Sequence, residues 1–147
     1  MLTLRPATAA DETAALDLLE EMFEPPGWRP AGYARERAAR AFRWATESAD
    51  ADVLVAVDGQ QVVGLASVYA EFPSMRFGRR CWLEDLVVTA TRRSEGVGQR
   101  LLDAAQDWGT AHDCTYLGLS SAAARTDAHR FYVANGIQQS QHFTRGR

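Results

Sequence analysis

Between the apolar segment Leu83 to Val88 and the amphipathic segment Val97 to Trp108 lies the run Thr89-Ala90-Thr91-Arg92-Arg93-Ser94-Glu95-Gly96-Val97-Gly98, which reads as a strand, a glycine turn and a helix start. Such a junction can seat a phosphate. Gly96 and Gly98 would let the backbone approach a ligand with no Cβ in the way, and the first N–H groups of a helix have no intrahelical partner. The positive end of the helix dipole favours an anion there, and Arg92 and Arg93 add charge beside it. Two other glycine loops fail on residues. Leu101 stands where a dinucleotide fingerprint needs a third glycine or alanine, and Gln99-Arg100 stand where a P-loop needs Lys-Ser or Lys-Thr. What remains is the pattern Arg/Gln-x-x-Gly-x-Gly. It makes Arg93, Ser94, Glu95, Gly96, Val97, Gly98 and Gln99 the expected anion-binding stretch.

Other chemistries find no support. Cys81 and Cys114 are far apart without Cys-x-x-Cys spacing and read as buried thiols; His112, His129 and His142 lack a two-histidine helix motif, so no metal site is expected. Ser120-Ser121 lacks the Gly-x-Ser-x-Gly setting of a nucleophile elbow. The chain contains no lysine, so every basic side chain is an arginine.

With 147 residues the chain fits one domain, 1–147, large enough for a single sizeable core. A formal charge of -3 and a pI of 5.6 give no reason to expect nucleic acid or an anionic membrane as partner. No apolar run approaches the roughly 20 residues that span a bilayer, and Met1-Leu2-Thr3-Leu4 leads into structure rather than a signal peptide. A cytoplasmic protein is expected.

Leu2 to Pro6 alternates as a first strand, and Thr8 to Asp11 offers caps for a helix carrying Ala14, Leu18 and Met22, which Pro25-Pro26-Gly27 ends. A second helix is expected from about Ala34 to Ser48, with Ala38, Phe42 and Ala45 inward. Val53 to Val57, the turn Asp58-Gly59 and Val62 to Phe72 form a hairpin, and Trp82 to Val88 is the strand before the glycine loop. After the loop helix come a strand at Tyr116 to Ser120, a helix at Asp127 to Ala134 stopped by Asn135-Gly136, and one or two closing strands within Ile137 to Phe143. The order β-α-α-β-β-β-α-β-α-β predicts a single α/β domain around a mixed sheet.

This order, with the loop Arg93 to Gly98, resembles the GCN5-related N-acetyltransferases, the GNAT family. Leu4-Arg5-Pro6-Ala7-Thr8 with Asp11 looks like the family's opening strand and turn, and Leu83-Glu84-Asp85-Leu86-Val87-Val88 like its strand before the pyrophosphate loop. Ala128-His129-Arg130-Phe131-Tyr132 with Asn135-Gly136-Ile137 looks like its Ala-x-x-Phe-Tyr and Gly-Phe signatures, with Ile137 in place of the phenylalanine. Arg125 stands where many members carry asparagine, so it does not inherit that residue's role, though an arginine could reach a cofactor phosphate.

The resemblance implies an enzyme that moves an acetyl group from acetyl-CoA directly to a primary amine of a small acceptor, with no metal and no covalent intermediate. A degenerate domain that binds CoA or a protein without turnover is the alternative. The resemblance also implies that the strand Leu83 to Val88 carries a bulge and splays from the strand Tyr116 to Ser120. Backbone groups at Leu86, Val87 and Val88 would then bind the pantetheine arm and polarise the thioester.

Tyr132 has two readings, a core aromatic beside Phe131 or a phenol of pKa near 10 that hands its proton to the departing thiolate; the resemblance selects the acid. Glu84, a carboxylate in an apolar strand, is either the general base for the incoming ammonium or a charge paired with an arginine at the sheet rim. Alternation sets Glu84, Leu86 and Val88 on one face and Asp85 with Val87 on the other, and Asp85 is expected to support structure. The acids Asp11, Glu12, Asp17, Glu20, Glu21 and Glu24 make either a solvated helix face or a funnel for a cationic amine, while Arg76, Arg79 and Arg80 would favour an anionic one. Exposed edge strands and a short terminus make a homodimer an expectation.

Overall fold

Segments rich in valine, leucine and alanine fold into five strands: β1 (Leu2–Pro6), β2 (Ala51–Asp58), β3 (Gln61–Ala70), β4 (Arg79–Val88) and β5 (Cys114–Leu119). They form one sheet in the order β1-β2-β3-β4-β5. Neighbours are antiparallel from β1 to β4, and β5 runs parallel to β4. A hairpin turn suffices between β2 and β3, where Gly59 takes a φ of 62°. A parallel neighbour needs a crossover, and the helix α3 (Val97–Ala111) supplies it between β4 and β5. The remaining helices are α1 (Glu12–Glu20), α2 (Arg35–Glu47) and α4 (Thr126–Ala134). This computed structural model describes residues 1–120 and 126–138. The expected strands at Ile137 to Phe143 lie outside the described residues from residue 139 on.

The period-two pattern sends alternate side chains to two cores, one on each face of the sheet. On one face α3 lays Val97, Leu101, Leu102, Ala105 and Trp108 against Leu54, Ala56, Ala66, Val68, Cys81 and Leu83. On the other, Ala15, Leu18 and Phe42 of α1 and α2 cover Val53, Val55, Val57, Leu65 and Val87. No helix among the described residues is long and apolar enough to cross a membrane.

Asp11 is the one charged side chain in the buried class among the described residues. The Arg5 guanidinium grips its two oxygens at 2.8 and 3.1 Å, and the Thr8 N–H donates to it at 2.7 Å. That bidentate contact holds the Asp11 carboxyl below the usual carboxylate range.

Helix α3 approaches the sheet closely at Gly64, where a Cβ would stand 2.8 Å from the Leu101 side chain and 3.1 Å from Val97. Gly64→Ala is therefore expected to lower unfolding stability by about 1–3 kcal/mol through overpacking, measured by urea denaturation; an unchanged midpoint would mean the helix shifts freely.

Candidate active site

The loop after β4 begins with a short 3-10 turn, Ala90–Arg92, and continues through extended Arg93 to left-handed Ser94 (φ 67°) and Gly96 (φ 82°). A left-handed backbone costs a residue with a Cβ about 1–2 kcal/mol, and nothing lies within 4 Å of the place a Cβ would take at Gly96, so conformation rather than crowding asks for glycine there. Gly98 differs. A methyl group there would make ordinary contact with Phe131 and Val88 at 3.6–3.7 Å, so packing does not demand the glycine. The first main-chain bond of α3 runs from the Arg100 N–H to the Gly96 carbonyl at 3.1 Å. The N–H groups of Val97, Gly98 and Gln99 precede it at the positive end of the helix.

The two arginines of the loop do not act alike. Arg92 is ion-paired to Asp58 and to Glu95, each at 2.8 Å, so it neutralises carboxylates rather than adding free charge, contrary to expectation. Among the described residues Arg93 is in no ion pair; its Nε donates to the Val88 carbonyl at 3.3 Å, which holds the guanidinium against the end of β4. Glu21, at the end of α1, accepts from the Thr89 hydroxyl at 3.2 Å and the Ala90 N–H at 3.3 Å, tying that helix to the start of the loop.

In β4 the pairing with β3 skips one residue: Ser67 faces Asp85 and Val68 faces Leu83, which leaves Glu84 extra. On its other edge β4 pairs with β5 only as far as Leu83 opposite Leu119. Beyond that point, where β5 ends, Glu84 to Val88 has no strand on that side among the described residues.

The bulge corrects the expected alternation. Leu86 and Val88 join Cys81 and Leu83 in the α3 core, whereas Glu84 and Asp85 both face a cavity of about 240 Å³ beneath α1 and α2. Glu84 is exposed at its edge, and its carboxylate accepts from the Trp82 indole rather than from an arginine. Asp85 lies deeper. Its carboxylate accepts from the Ser67 hydroxyl at 2.9 Å, and that hydroxyl in turn accepts from the Asp85 N–H at 3.0 Å. Burial pushes the Asp85 carboxyl up, with Ser67 pulling it back and Glu84 adding to the rise. Sequence reasoning gave Asp85 only a supporting role and passed over its partner Ser67. The signal was present in the doubled acid, since Leu83 and Leu86 can share a face only if a residue between them is extra.

Tyr132 sits half-buried on α4 with its ring edge-on to Phe131 at 5.5 Å between centroids. Phe131 reaches the start of α3 at Gly98, so α4 lies beside the glycine loop. Arg125 falls outside the described residues. No group of three or more histidine, cysteine or carboxylate residues among those described is arranged to hold a metal ion.

Arginines hold most of the acids of the first helix in partly exposed pairs, which fits a solvated face and weakens the funnel, while Glu21 and Glu24 are in no ion pair among the described residues. Glu12 pairs with Arg43 at 2.8 Å, and Asp17 and Glu20 pair with Arg35 at 2.8 and 3.0 Å. Glu20 also accepts from the Tyr33 hydroxyl at 2.6 Å, which together with burial pushes that phenol up to about 12. On the opposite wall Arg79 and Arg80 lie within β4 and pair with Asp50 and Glu71, so they offer no free anion receptor.

A bulged β4, a β4 edge that pairs with β5 only as far as Leu83 and a glycine turn opening α3 mark one mixed α/β fold, which the family comparison identifies. The chain belongs to the acetyltransferase (GNAT) family, whose model matches residues 13–137. It is 48% identical over 60 residues to the uncharacterized N-acetyltransferase YhdJ of Bacillus subtilis, a stretch that covers 41% of this chain and 42% of that protein. It is 29% identical over 144 residues to the aminoalkylphosphonate N-acetyltransferase of Salmonella typhimurium, covering 95% of this chain and 86% of the relative. Among solved structures, an aminoglycoside N-acetyltransferase in complex with CoA superposes with a TM-score of 0.85 at 16% identity, covering 100% of this chain and 94% of the other. That likeness is one of fold.

The Asp85 environment sets a pH dependence whose sign is fixed. A carboxyl whose folded pKa lies above its unfolded value of about 3.9 favours folding in its neutral form, so its contribution is lost as pH rises through the folded pKa. Asp85→Asn keeps a hydrogen-bonding partner for Ser67 and removes the charge. Measured by urea unfolding, the variant should gain stability relative to the parent as pH rises from about 4 to 7, and a pH-independent difference would show that the carboxylate is well solvated.

Proposed function

We propose that the protein is an N-acetyltransferase that takes acetyl-CoA as donor and a small primary amine as acceptor. The observation that carries the reading is the coincidence, at one end of β4, of an unpaired strand edge, an open helix N-terminus and a carboxylate pair on the opposite face. The N–H groups at Val97, Gly98 and Gln99, with the Arg93 guanidinium, suit a pyrophosphate. The edge of β4 beyond Leu83, unpaired with β5, suits an extended arm held by main-chain groups of Leu86, Val87 and Val88. These residues fit the donor without any further group.

The chemistry then divides between the faces. The acceptor ammonium loses a proton to the Glu84 carboxylate, directly or through water. The free amine attacks the thioester carbonyl, the new C–N bond forms and the C–S bond breaks; the departing thiolate takes the proton of the Tyr132 hydroxyl, and the second proton shed by the acylated nitrogen returns the tyrosinate to its phenol, directly or through water. Main-chain donors near the bulge offset the charge that develops on the carbonyl oxygen. Each proton has a source and an acceptor, and no enzyme-bound acetyl is required.

Tyr132→Phe keeps the ring and its contact with Phe131 but removes the proton, so turnover should fall about 10²- to 10⁴-fold with acetyl-CoA affinity nearly unchanged. Near-normal turnover would return Tyr132 to a packing role. Glu84→Gln should flatten the rise of the rate with pH, and a variant of normal specific activity would remove Glu84 as base. For the donor seat, Arg93→Met should weaken acetyl-CoA in calorimetry about tenfold at low salt and by less at high salt, as expected of a charge-assisted contact. Equal affinity in both salts would take Arg93 out of the seat.

A further inference from the structure

The cavity beneath α1 and α2 has a chemistry of its own. Its wall is built from Leu16, Leu19, Ala38, Phe42, Trp44 and Tyr69, and no arginine or histidine lines it. Its charged residues are Glu84 and Asp85, with Asp52, whose carboxylate is engaged by the Trp108 indole. At about 240 Å³ it lies below the roughly 300–1,000 Å³ of pockets that take drug-sized ligands. Trp44 stays 62% exposed although most of its surroundings are apolar, which leaves an indole face at the cavity rim unused by the fold.

We propose that the acceptor is a primary amine with a compact hydrophobic body, an arylalkylamine or alkylamine, whose body fills this cavity while its ammonium lies at the Glu84–Asp85 edge. The inference rests on the N-acetyltransferase reading for the transfer step, and on the cavity alone for the class of amine. Two arguments converge. An apolar body gains by leaving water for a wall of leucine, alanine and aromatic side chains, about 25 cal/mol for each Å² removed. A phosphonate, phosphate or carboxylate on the acceptor would enter a wall with no cation to pair it, beside two carboxylates. Polycations fail for a different reason. Their second and third ammonium groups would have to be desolvated against aliphatic side chains, because the acids of α1 are already held by Arg35 and Arg43.

The bulge supplies the orientation. Because Glu84 and Asp85 lie on the cavity side while Leu86 and Val88 lie on the α3 side, an amine held at the carboxylates stands at the end of β4 whose other edge is unpaired with β5. Asp85, fixed by Ser67, holds the ammonium, and Glu84 at the exposed edge receives its proton and passes it to solvent.

The test compares 2-phenylethylamine, spermidine and 2-aminoethylphosphonate, read as kcat/KM by release of CoA thiol and as dissociation constants in calorimetry with CoA bound. The arylalkylamine should lead each of the others by at least about tenfold in both readouts. Trp44→Ala, at an exposed position, and Ala38→Leu, which narrows the cavity, should each reduce that lead about fivefold or more, with Ala38→Leu raising KM rather than lowering kcat. Preference for the phosphonate or the polyamine, or a lead untouched by both variants, would overturn the proposal. Calorimetry separates the two levels of inference: tight arylalkylamine binding without thiol release would sink the transferase reading and leave the cavity assignment standing. Thiol release with another amine and no arylalkylamine binding would do the reverse.

Discussion

A strand that carries one residue more than its neighbour must bend and change the phase of its side chains, and β4 does this at Glu84. Before the bulge, Cys81 and Leu83 feed the α3 core; after it, Leu86 and Val88 do, at even instead of odd positions. The same extra residue turns two adjacent acids towards one cavity. It also coincides with the end of pairing to β5, since Leu83 is the last residue of β4 with a partner there. One local irregularity thus sets the carboxylates on one face and delivers Val88 to the glycine loop. A regular strand would bury Glu84 and Leu86 on the same side, where the carboxylate would meet an apolar core at a cost of several kcal/mol.

Arginine does the remaining electrostatic work in a chain without lysine. Its planar fork suits bidentate contacts, and the pairs Arg5–Asp11, Arg43–Glu12 and Arg80–Glu71 use two hydrogen bonds each. Most of these pairs are partly exposed, so each contributes little to stability by itself. Their larger effect is one of allocation. By engaging the acids of α1 and the loop carboxylates Asp58 and Glu95, they leave the Arg93 guanidinium outside any ion pair at the glycine loop and Glu84 with Asp85 outside any ion pair at the cavity, among the described residues.

The legibility of this molecule follows the same division. Helices and strands were readable because their apolar periods are regular, and the glycine loop was readable because Gly96 answers a backbone requirement that no other residue meets cheaply. Ends shifted by a few residues: β5 starts at Cys114 rather than Tyr116, and β4 at Arg79 rather than Trp82. The partners of charged residues were not readable, because Arg35 reaches Asp17 and Glu20 across a turn whose path composition does not specify. A helix dense in acids therefore looked like a surface for ligands. Strict alternation misplaced Glu84 for a related reason. The rule holds for paired strands, and the departure is encoded only in the spacing of three between Leu83 and Leu86.

What the sequence could least reveal is the role of the main chain. The N–H groups at Val97, Gly98 and Gln99 and the unpaired edge of β4 would be the same for many side chains, so selection on them leaves its mark only where a side chain would interfere. Gly98 is such a place: neither its backbone nor its packing against Phe131 and Val88 requires glycine. The glycine there has no structural explanation among the described residues. The cavity beneath α1 and α2 is walled by side chains, those of the two helices together with Tyr69, Glu84 and Asp85 of the sheet. The helical part of that wall can change without altering the strand pairing, whereas the glycine turn and the end of β4 are set by the backbone.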